Sequence, residues 1–562
     1  MIKRIMERLR SEVQTVILFI VVFMALLLVV FPSLVLILKS VGISFYDGGA
    51  LSFQAYKEIF KDSYTFSAIV NTLVTSLAVT MMTILIGGSL AWLVTRTDFP
   101  YKKFIRNNVF FTFTIPSYIL GISWLELLGR NGYVDKFFKL FNINDFKFQT
   151  YSVWAVIIIM TIHLYPLVFM ALSNALSKTD NSLEDATVLS GASRFKGIMT
   201  ITIPLIMPSI FSIGLFVFSR TMANFGVPAL LLMPLYKETL TTRIYRALND
   251  LNLSLAAAIA IILVIFVGLA FLLQNLILRK KKFTLVTSDS SLPRLINLGK
   301  RNKFISVLVI IFQICTTIIP LATIFVSSFL KRWGLPLILK NLTIANYYNL
   351  FGASTSIRAF KNSIIYGIIA ACIAVIIGAI ISYVSNNSII KGGKFIEFIA
   401  SWPMSFPNIV MAIAAILAWS RPPINFYGKS SIIIITYIAL FLPIALKNIS
   451  GLIQNQDITL EKAARVSGAS KLQTYRDITF PMIKPGMKSS WVLCIIIALR
   501  EIPISLMLHA PGTETVGVLL FNMRSNSSGL EAISAISVVV IMLSIIGRLF
   551  VRKIKNSKGS VS

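Results

Sequence analysis

A few charged and polar residues interrupt the long apolar runs of the sequence. Arg220 and Asn224 lie four residues apart in one run, and Arg500 and Glu501 are neighbours in another. Because residues at i and i+4 of a helix share a face, we expect Arg220 and Asn224 to lie on one side of theirs. Ionisable groups inside membrane-spanning segments are costly and often mark the path of a charged solute. The alternative is a structural pair between one of these arginines and a carboxylate. Glu126, near an outer helix end, is expected to reach the membrane interface.

Other reactive side chains are too few and too scattered for an enzyme active site. His163 and His509 are far apart, and each is expected to make ordinary packing contacts or an interfacial hydrogen bond. The cysteines all lie in apolar runs, which argues against a disulfide framework and a paired-cysteine metal site; they are Cys315, Cys372 and Cys494. No GxxxxGK[ST] phosphate loop is present. We therefore expect no catalytic residue, no metal site and no cofactor bound by this chain.

The composition places the chain in a lipid bilayer. Of 562 residues, 56% are hydrophobic and 13% charged, and the mean hydropathy is +0.81, so the polar residues cannot cover a water-facing surface. The net charge of +31 comes from basic residues that punctuate the apolar runs. Because no motif that reads RNA or DNA accompanies them, we do not expect nucleic acid as a partner.

About twelve apolar runs are long enough to cross a bilayer, which takes roughly 20 helical residues. They lie near residues 14–38, 67–94, 107–128, 152–175, 209–233, 254–278, 303–330, 362–385, 396–419, 431–452, 489–509 and 531–550. The sequence therefore predicts an all-α polytopic membrane protein.

The chain contains one long internal repeat. LEDATVLSGASRFKGIMTITIPLIMP (183–208) returns as LEKAARVSGASKLQTYRDITFPMIKP (460–485) at an offset of 277. Upstream the offset is 291, where Asn71 meets Asn362 and Pro116 meets Pro407. Each half is thus expected to hold one six-helix unit of the same orientation, and the two units form parallel repeats about an axis along the membrane normal.

The repeat suggests a division of the chain into six parts. These are an N-terminal anchor helix and outer loop (1–66), a first membrane unit (67–278), a cytoplasmic linker (279–303), a helix and outer loop of the second half (304–361), a second membrane unit (362–550) and a cytoplasmic tail (551–562).

The basic residues predict the orientation. Short loops rich in Lys and Arg stay in the cytoplasm, which places both copies of the repeated stretch and both chain ends there. The first apolar run is too long for a signal peptide, and Lys39-Ser40 offers no cleavage pattern, so it is expected to remain as an anchor.

The repeated stretch predicts a hairpin of two short helices. Asn181 or Ser182 in the first copy and Thr459 in the second are candidate N-caps. Gly191 and Gly468 allow a tight turn between the helices. The alternative is a solvated loop.

This stretch resembles the cytoplasmic "EAA" loop of permease subunits in binding-protein-dependent ABC importers. The family pattern is E-A-A, three residues, Gly, nine residues, I-x-L-P; Gly191 with ITIP at 201–204 and Gly468 with ITFP at 478–481 follow it. The triplet departs from the pattern, reading Asp185-Ala186-Thr187 in one copy and Lys462-Ala463-Ala464 in the other. Glu461 is a possible substitute for the missing acid.

The resemblance implies a type I ABC importer permease in a bacterial inner membrane. It also implies two copies of a separate ATPase subunit, which use ATP and Mg²⁺, and a substrate-binding protein on the outer side. The residues it assigns to ATPase coupling are Glu184, Asp185, Ala186, Gly191, Glu461, Lys462, Ala463, Ala464 and Gly468.

A narrower resemblance bears on the cargo. The stretches NFGVPALLL (224–232), LTTRIYRAL (240–248) and LREIPISLMLHAPGTETVGVLLF (499–521) resemble fused permeases of the ferric-iron importer group, whose relatives move thiamine, 2-aminoethylphosphonate or polyamines. Ferric iron is the favoured cargo on this resemblance. The charges of the candidate pathway residues do not identify the cargo, since Glu501 suits a cation whereas Arg220 and Arg500 suit an anion. An ion-coupled secondary transporter is the alternative class, although it would not need the twin hairpins.

Overall fold

The protein is almost entirely helical. A computed structural model describes residues 2–46, 48–143, 148–179, 182–280, 295–386, 392–422, 424–454, 458–526 and 529–556. Most of the predicted linker, residues 281–294, and the end of the tail, residues 557–562, lie outside this described part.

The helices of the first half are α1 (Ile2–Ser40), α2 (Gln54–Lys61), α3 (Ser63–Arg96), α4 (Lys102–Thr114), α5 (Ser117–Leu128), α6 (Tyr133–Lys139), α7 (Val153–Ser177), α8 (Ser182–Leu189), α9 (Arg194–Gly197), α10 (Ile203–Met222), α11 (Gly226–Leu231), α12 (Leu240–Asn249) and α13 (Leu253–Lys280). Those of the second half are α14 (Arg301–Gln313), α15 (Ile319–Ser327), α16 (Ala345–Gly352), α17 (Ser354–Asn386), α18 (Gly393–Ser401), α19 (Asn408–Trp419), α20 (Ser430–Gln454), α21 (Ile458–Val466), α22 (Lys471–Thr474), α23 (Phe480–Arg500), α24 (Pro503–Leu508), α25 (Val516–Ser525) and α26 (Leu530–Asn556). Two short strands, β1 (Ser420–Arg421) and β2 (Ile424–Asn425), pair in antiparallel orientation.

The membrane-spanning pattern agrees with the predicted twelve runs. Ten helices of the described part are long and apolar enough to cross a bilayer, and the total is twelve if each of two bent helix pairs is one span. The first of the ten belongs to α1, which begins at Ile2 and thus well before the predicted start of the run at residue 14.

Two predicted spans are broken at a proline. The runs predicted as single spans at 107–128 and 396–419 bend by 100° between α4 and α5 and by 109° before α19. Ile115 and Phe406, which precede Pro116 and Pro407, have ψ angles of 128° and 131°. A proline ring disfavours helical geometry in the residue before it, so α4 ends before Ile115, and the 3-10 turn Trp402–Ser405 that follows α18 ends before Phe406.

Two further runs also break, in equivalent places. Instead of continuing to residue 233, α10 ends at Met222 and α11 begins at Gly226. Instead of continuing to residue 509, α23 ends at Arg500 and α24 begins at Pro503. The prediction that Asn224 shares a helix face with Arg220 is therefore wrong, because the helix ends before Asn224.

The two halves exchange their first helices. Helix α1 packs against α13 of its own half and against α19 of the other. Helix α15 of the second half is placed equivalently, because it packs against α26 of its own half and against α5 of the first half. The first helix of each unit therefore packs against the other unit, so the two units form one interlocked pseudo-dimer.

Within each half, one glycine allows two long helices to approach closely. A Cβ on Gly87 of α3 would lie 2.7 Å from the Tyr165 carbonyl oxygen in α7. A Cβ on Gly378 of α17, at the 291 offset, would lie 3.1 Å from the Ala445 Cβ in α20. The same helix pair is therefore packed through the same small residue in both repeats.

Candidate functional site

The repeated stretch folds into a helical hairpin in both halves. The first hairpin, residues 182–202, contains α8, α9 and a π-helical turn at Ile198–Thr202. The second hairpin, residues 458–479, contains α21, α22 and a π-helical turn at Tyr475–Thr479. The two π-turns keep the 277 offset, and a proline, Pro204 or Pro481, follows each after one residue. Since proline has no N–H to donate, a local change of hydrogen-bond register is expected there.

The predicted glycine turns are present. Gly191 and Gly468 have φ angles of +84° and +89°, in the left-handed region that favours glycine. The amides of Ala192 and Ala469, one residue on, donate 3.0 Å bonds to the Thr187 and Ala464 carbonyls. Each turn therefore ends its first helix with the hydrogen bond of a Schellman motif.

A carboxylate and a threonine connect the two arms of each hairpin. The Thr479 hydroxyl donates a 2.5 Å hydrogen bond to Oε1 of Glu461. The Thr202 hydroxyl donates to Oε1 of Glu184 at the equivalent place. Both glutamates are among the site residues predicted from the sequence, whereas both threonines, which also keep the 277 offset, are not. We call each bond the Glu–Thr clasp.

The first clasp has an additional cation. Arg96 at the end of α3 is buried and forms a 3.1 Å ion pair with Glu184, whose side chain is 23% exposed. Arg96 also donates to the Thr179 hydroxyl at 2.5 Å. The position equivalent to Arg96 in the second half is Asn387, outside the described residues. An ion pair thus connects the first hairpin to a long membrane helix.

The remaining hairpin residues are mostly exposed. Lys462, Ala463 and the two turn glycines are exposed, and Ala464 is half-buried. The side chains of Asp185 and Ala186 and the candidate N-cap Asn181 lie outside the described part. Ser182 and Thr459 lie within α8 and α21 and are therefore not the N-caps of these helices, whose starts adjoin residues outside the described part.

Each hairpin also exposes a large apolar side chain just before its turn. Leu189 and Val466, which keep the 277 offset, are both 88% exposed. In the first hairpin Phe195 is 69% exposed as well. An exposed apolar side chain therefore occupies the same position of both repeats.

At the ends of the long helices that lie away from the hairpins, the repeats share another pair of contacts. Asn71 of α3 and Asn362 of α17 donate 3.0 Å bonds to the carbonyl oxygens of Glu238 and Glu514. The next residues, Thr72 and Ser363, accept the amides that begin α12 and α25, from Leu240 at 2.8 Å and from Val516 at 2.9 Å. Residues that are equivalent in the sequence repeat therefore make equivalent hydrogen bonds in the two halves.

Asn224 and Glu501 occupy equivalent breaks in the membrane helices. Asn224 accepts the Val227 amide at 3.1 Å and donates to Ser117 at 3.1 Å. Glu501, which is 3% exposed, accepts the Ile504 amide at 2.7 Å and the Ser505 amide at 2.9 Å. Asn408, at the 291 offset from Ser117, donates to Glu501 at 3.4 Å. Both residues thus support the start of the short helix that follows.

The arginines of the predicted pathway are not paired with acids. Arg220 is exposed, and its guanidinium lies 5.1 Å from the centroid of the Phe216 ring. Arg500 is half-buried. Among the described residues, neither arginine lies within 4 Å of a carboxylate, so the alternative of a structural ion pair has no contact to support it.

Two further ionisable side chains interact electrostatically with these arginines. They are Lys447 of α20, with Arg220, and His163 of α7, with Arg500. Lys447 lies inside the apolar run predicted at 431–452, so the rule that selected the arginines could have found it. His163 was assigned to ordinary packing, since a lone histidine carries little signal in a sequence.

Glu126 differs from its prediction. It is fully buried instead of reaching the interface, and Ser534 of α26 donates a hydrogen bond to it. Because Ser534 belongs to the other half, this buried carboxylate lies at the contact between the two units.

The sequence is similar to those of transport proteins. The family described as "Binding-protein-dependent transport system inner membrane component" matches residues 83–283 and 374–556, one match in each half. The ferric transport system permease protein FbpB of Actinobacillus pleuropneumoniae is 26% identical over 535 residues, which cover 94% of this chain and 76% of that protein.

Two other relatives show the range of this similarity. A putative ferric transport system permease protein, FbpB 1 of Haemophilus influenzae, is 25% identical over 494 residues, covering 86% of this chain and 76% of that protein. A putative 2-aminoethylphosphonate transport system permease protein, PhnV of Salmonella typhi, is 25% identical over 241 residues, covering 42% of this chain and 89% of that protein. The family matches together span more than half of the chain, which therefore belongs to the inner membrane components of binding-protein-dependent transport systems, as a permease with one copy of the family unit in each half.

Proposed function

We propose that this permease forms the translocation pathway of an ATP-driven ABC importer by itself, and that its two hairpins couple it to a separate pair of ATPase subunits. The observation that carries the proposal is the duplicated hairpin, in which a Glu–Thr clasp, a glycine turn and an 88% exposed apolar residue occur at equivalent positions. Two equivalent docking elements suit two equivalent ATPase subunits. ATP and Mg²⁺ would be bound by those subunits.

The hairpins have the connections that such coupling requires. Each clasp joins the first hairpin helix to the base of a long helix, α10 or α23. The far ends of these two helices are the breaks at Asn224 and Glu501. A displacement of the hairpin by an ATPase would therefore be transmitted along a rigid helix to the middle of the protein.

The pathway would then run between the halves at these breaks. Arg220 and Arg500 are the candidates for contact with the cargo, because both have accessible surface and no carboxylate partner in the described part. Asn224 and Glu501 would act as positioning residues, because their side chains cap the short helices α11 and α24. The hairpins and both chain ends would face the cytoplasm, as the basic residues suggest.

Ferric iron is the favoured cargo, supported by the similarity to two ferric permeases over most of the chain. Import of 2-aminoethylphosphonate is the next candidate, supported by the shorter similarity to PhnV. Thiamine and polyamines remain alternatives from the sequence resemblance. A substrate-binding protein on the outer side would deliver the cargo, in keeping with the family description.

Reconstitution into liposomes tests the proposal. The chain would be co-purified with its cognate ATPase subunit and binding protein, and uptake of ⁵⁵Fe(III) and of labelled 2-aminoethylphosphonate would be measured with ATP inside or outside the vesicle. We expect uptake that requires ATP on the hairpin side. Uptake by the chain alone, driven by an ion gradient without any ATPase, would instead identify a secondary transporter.

A further inference from the structure

Three aromatic rings meet between the two halves of the permease. Phe225 follows Asn224 at the break after α10, Tyr245 belongs to α12, and Phe521 of the second half belongs to α25. The ring centroids of Tyr245 and Phe521 are 5.8 Å apart, and that of Phe225 lies 5.5 Å from the first and 6.0 Å from the second. Rings at such separations are in direct contact. We call these three residues the aromatic trio.

Tyr245 and Phe521 are equivalent residues of the repeat. Helices α12 and α25 both have 10 residues, and equivalent side chains of α3 and α17 accept the first amide of each. Tyr245 and Phe521 occupy the same position within these two helices. Equivalent residues of two units touch each other only beside the axis that relates the units. Their contact therefore lies at the axis between the two halves.

The aromatic trio lies far from the hairpins. Thr72, in the first third of α3, accepts the amide that begins α12, whereas Arg96, the last residue of α3, forms the ion pair with the first hairpin. A helix rises about 1.5 Å per residue, so these two contacts are about 36 Å apart along α3. Helix α12, and with it Tyr245, is therefore on the side of the protein opposite the hairpins.

The rings of the trio are closely packed. Phe225 and Phe521 are 1% and 8% exposed, and Tyr245 is half-buried. On the hairpin side of the two breaks, by contrast, Arg220 is exposed and Arg500 is half-buried. The accessible candidate residues of the pathway thus lie on one side of an aromatic contact that leaves little surface open.

Each ring at the axis is connected to the break of its own half. The Thr241 hydroxyl of α12 donates a 3.0 Å hydrogen bond to the Asn224 carbonyl oxygen. Gly517 is the equivalent residue of α25, and a Cβ there would overlap the Glu501 carbonyl oxygen, so the backbone of α25 packs directly on the second break. The breaks end α10 and α23, which begin next to the Glu–Thr clasps. A continuous series of contacts therefore runs from each hairpin to one ring.

Apolar rings that meet in a pathway can close it, because a narrow hydrophobic constriction loses its water and blocks the passage of ions and polar solutes. A contact made by one ring from each unit is broken when the units move apart as rigid bodies. Such a contact opens and closes with the relative position of the two halves.

We propose that the aromatic trio closes the translocation pathway on the side away from the hairpins, and that movement of the hairpins opens it by separating Tyr245 from Phe521. Thr241 and Gly517 are positioning residues in this movement, since they connect α12 and α25 to the breaks. The inference rests on the proposed importer function. The cargo passes the trio only while the two rings are apart.

The repeat offers matched variants for a test. Tyr245→Ala with Phe521→Ala removes both rings at the axis. Tyr245→Phe and Phe521→Tyr each introduce the residue that the other half carries at the equivalent position, so both keep the rings. Thr241→Val removes the hydroxyl that bonds to the first break, with little change of shape.

The first measurement needs neither the ATPase nor the binding protein. Liposomes that contain the full-length chain are loaded with ³²P-phosphate, and its release is followed. We expect the double alanine variant to release phosphate at least several-fold faster than the wild-type chain, because the pathway is no longer closed away from the hairpins. Tyr245→Phe and Phe521→Tyr should keep the slow release. Release at the wild-type rate from the double alanine variant would overturn the proposal.

The second measurement joins the two ring positions chemically. In a chain whose native cysteines are replaced by alanine, Tyr245→Cys and Phe521→Cys are linked by a short bifunctional maleimide. We expect this link to abolish ATP-driven uptake of ⁵⁵Fe(III) citrate or labelled 2-aminoethylphosphonate in the reconstituted importer. Phe31→Cys with Phe45→Cys is the matched control, since these rings are 5.3 Å apart but both belong to the first half, so linking them should leave uptake intact. Full uptake after the Tyr245 and Phe521 positions are linked would contradict closure by the trio.

The same link tests the route from the hairpin to the ring. A non-hydrolysable ATP analogue, added with the binding protein, should lower the yield of the link between Tyr245→Cys and Phe521→Cys, because the rings are then apart. Thr241→Val should leave the yield without nucleotide unchanged but weaken the decrease. A yield that does not respond to nucleotide would contradict opening by the hairpins, and an equal decrease with Thr241→Val would contradict the positioning role of Thr241.

Failure of the importer assignment is distinguishable from failure of this inference. If the wild-type importer moves neither uptake probe, the importer assignment fails. Release of phosphate from liposomes that contain the chain alone still decides whether the trio closes a pathway.

Discussion

Thr479 donates a 2.5 Å hydrogen bond to the carboxylate of Glu461, eighteen residues earlier, and thereby holds one arm of the second hairpin against the base of α23. Thr202 and Glu184 make the same contact at the base of α10. A bond that recurs at an offset of 277 on otherwise exposed helices indicates that both hairpins must keep a defined shape.

Removing the clasp should loosen the hairpin. Thr479→Val keeps the side-chain shape but removes the donor, and a lost bond to a charged acceptor is worth about 1.5–3 kcal/mol. We expect faster hydrogen exchange in residues 458–479 and weaker ATP-driven uptake. Thr200→Val is the matched control, since the Thr200 hydroxyl donates to the Lys196 carbonyl, four residues earlier in the same arm of the first hairpin. Unchanged exchange in the Thr479→Val hairpin would show that the clasp does not hold it.

The glycine turns should tolerate few substitutions. The left-handed backbone conformation costs a residue other than glycine about 1–2 kcal/mol. We therefore expect Gly191→Val and Gly468→Val to distort the turns. Gly191→Asn should be milder, because asparagine visits this conformation. Coupling is measured as ATP hydrolysis stimulated by the binding protein. Gly268→Ala in α13, where a Cβ would meet no atom within 4 Å, serves as the control and should leave stimulation intact. Full stimulation in both valine variants would count against a coupling role.

The exposed apolar residues before the turns should contribute to ATPase docking. Leu189→Asp and Val466→Asp place a charge where an apolar contact is proposed, and the double variant should weaken association with the ATPase by about tenfold or more. Co-purification at increasing dilution measures the association. Leu339→Asp changes a residue that is 89% exposed in the loop between α15 and α16, and this variant should associate normally. If the hairpin double variant associated with the ATPase as tightly as Leu339→Asp does, the hairpins would be excluded as the docking surface.

Glu501 should be needed for its hydrogen bonds more than for its charge. Glu501→Ala leaves the buried amides of Ile504 and Ser505 without an acceptor, at a cost of about 1–3 kcal/mol each, so folding yield and Tm should fall. Glu501→Asn introduces the residue that the first half uses at the equivalent break, Asn224, and should largely restore both. Uptake is measured in parallel. A stable Glu501→Asn protein without uptake would show that the carboxylate charge itself acts on the cargo.

Two prolines show how far a sequence can predict such a fold. Pro116 and Pro407 were aligned by the repeat, but the breaks they cause were not predicted. Pro166 and Pro443 keep the offset equally well and lie inside continuous helices. Membrane helices tolerate proline where neighbouring groups satisfy the freed carbonyl. Whether a proline ends a helix therefore depends on its surroundings in three dimensions.

The sequence by itself determined the membrane location, the apolar runs long enough to cross a bilayer, the duplicated units and the duplicated hairpins with their glycine turns. These follow from hydrophobic length, residue spacing and backbone preference, which are local properties of the chain. Only the tertiary structure decided that Asn224 and Glu501 accept the first amides of short helices and that Glu126 is buried between the units. Those relationships arise because the two halves interlock, and the spacing of residues along one chain does not specify which residues meet across that contact.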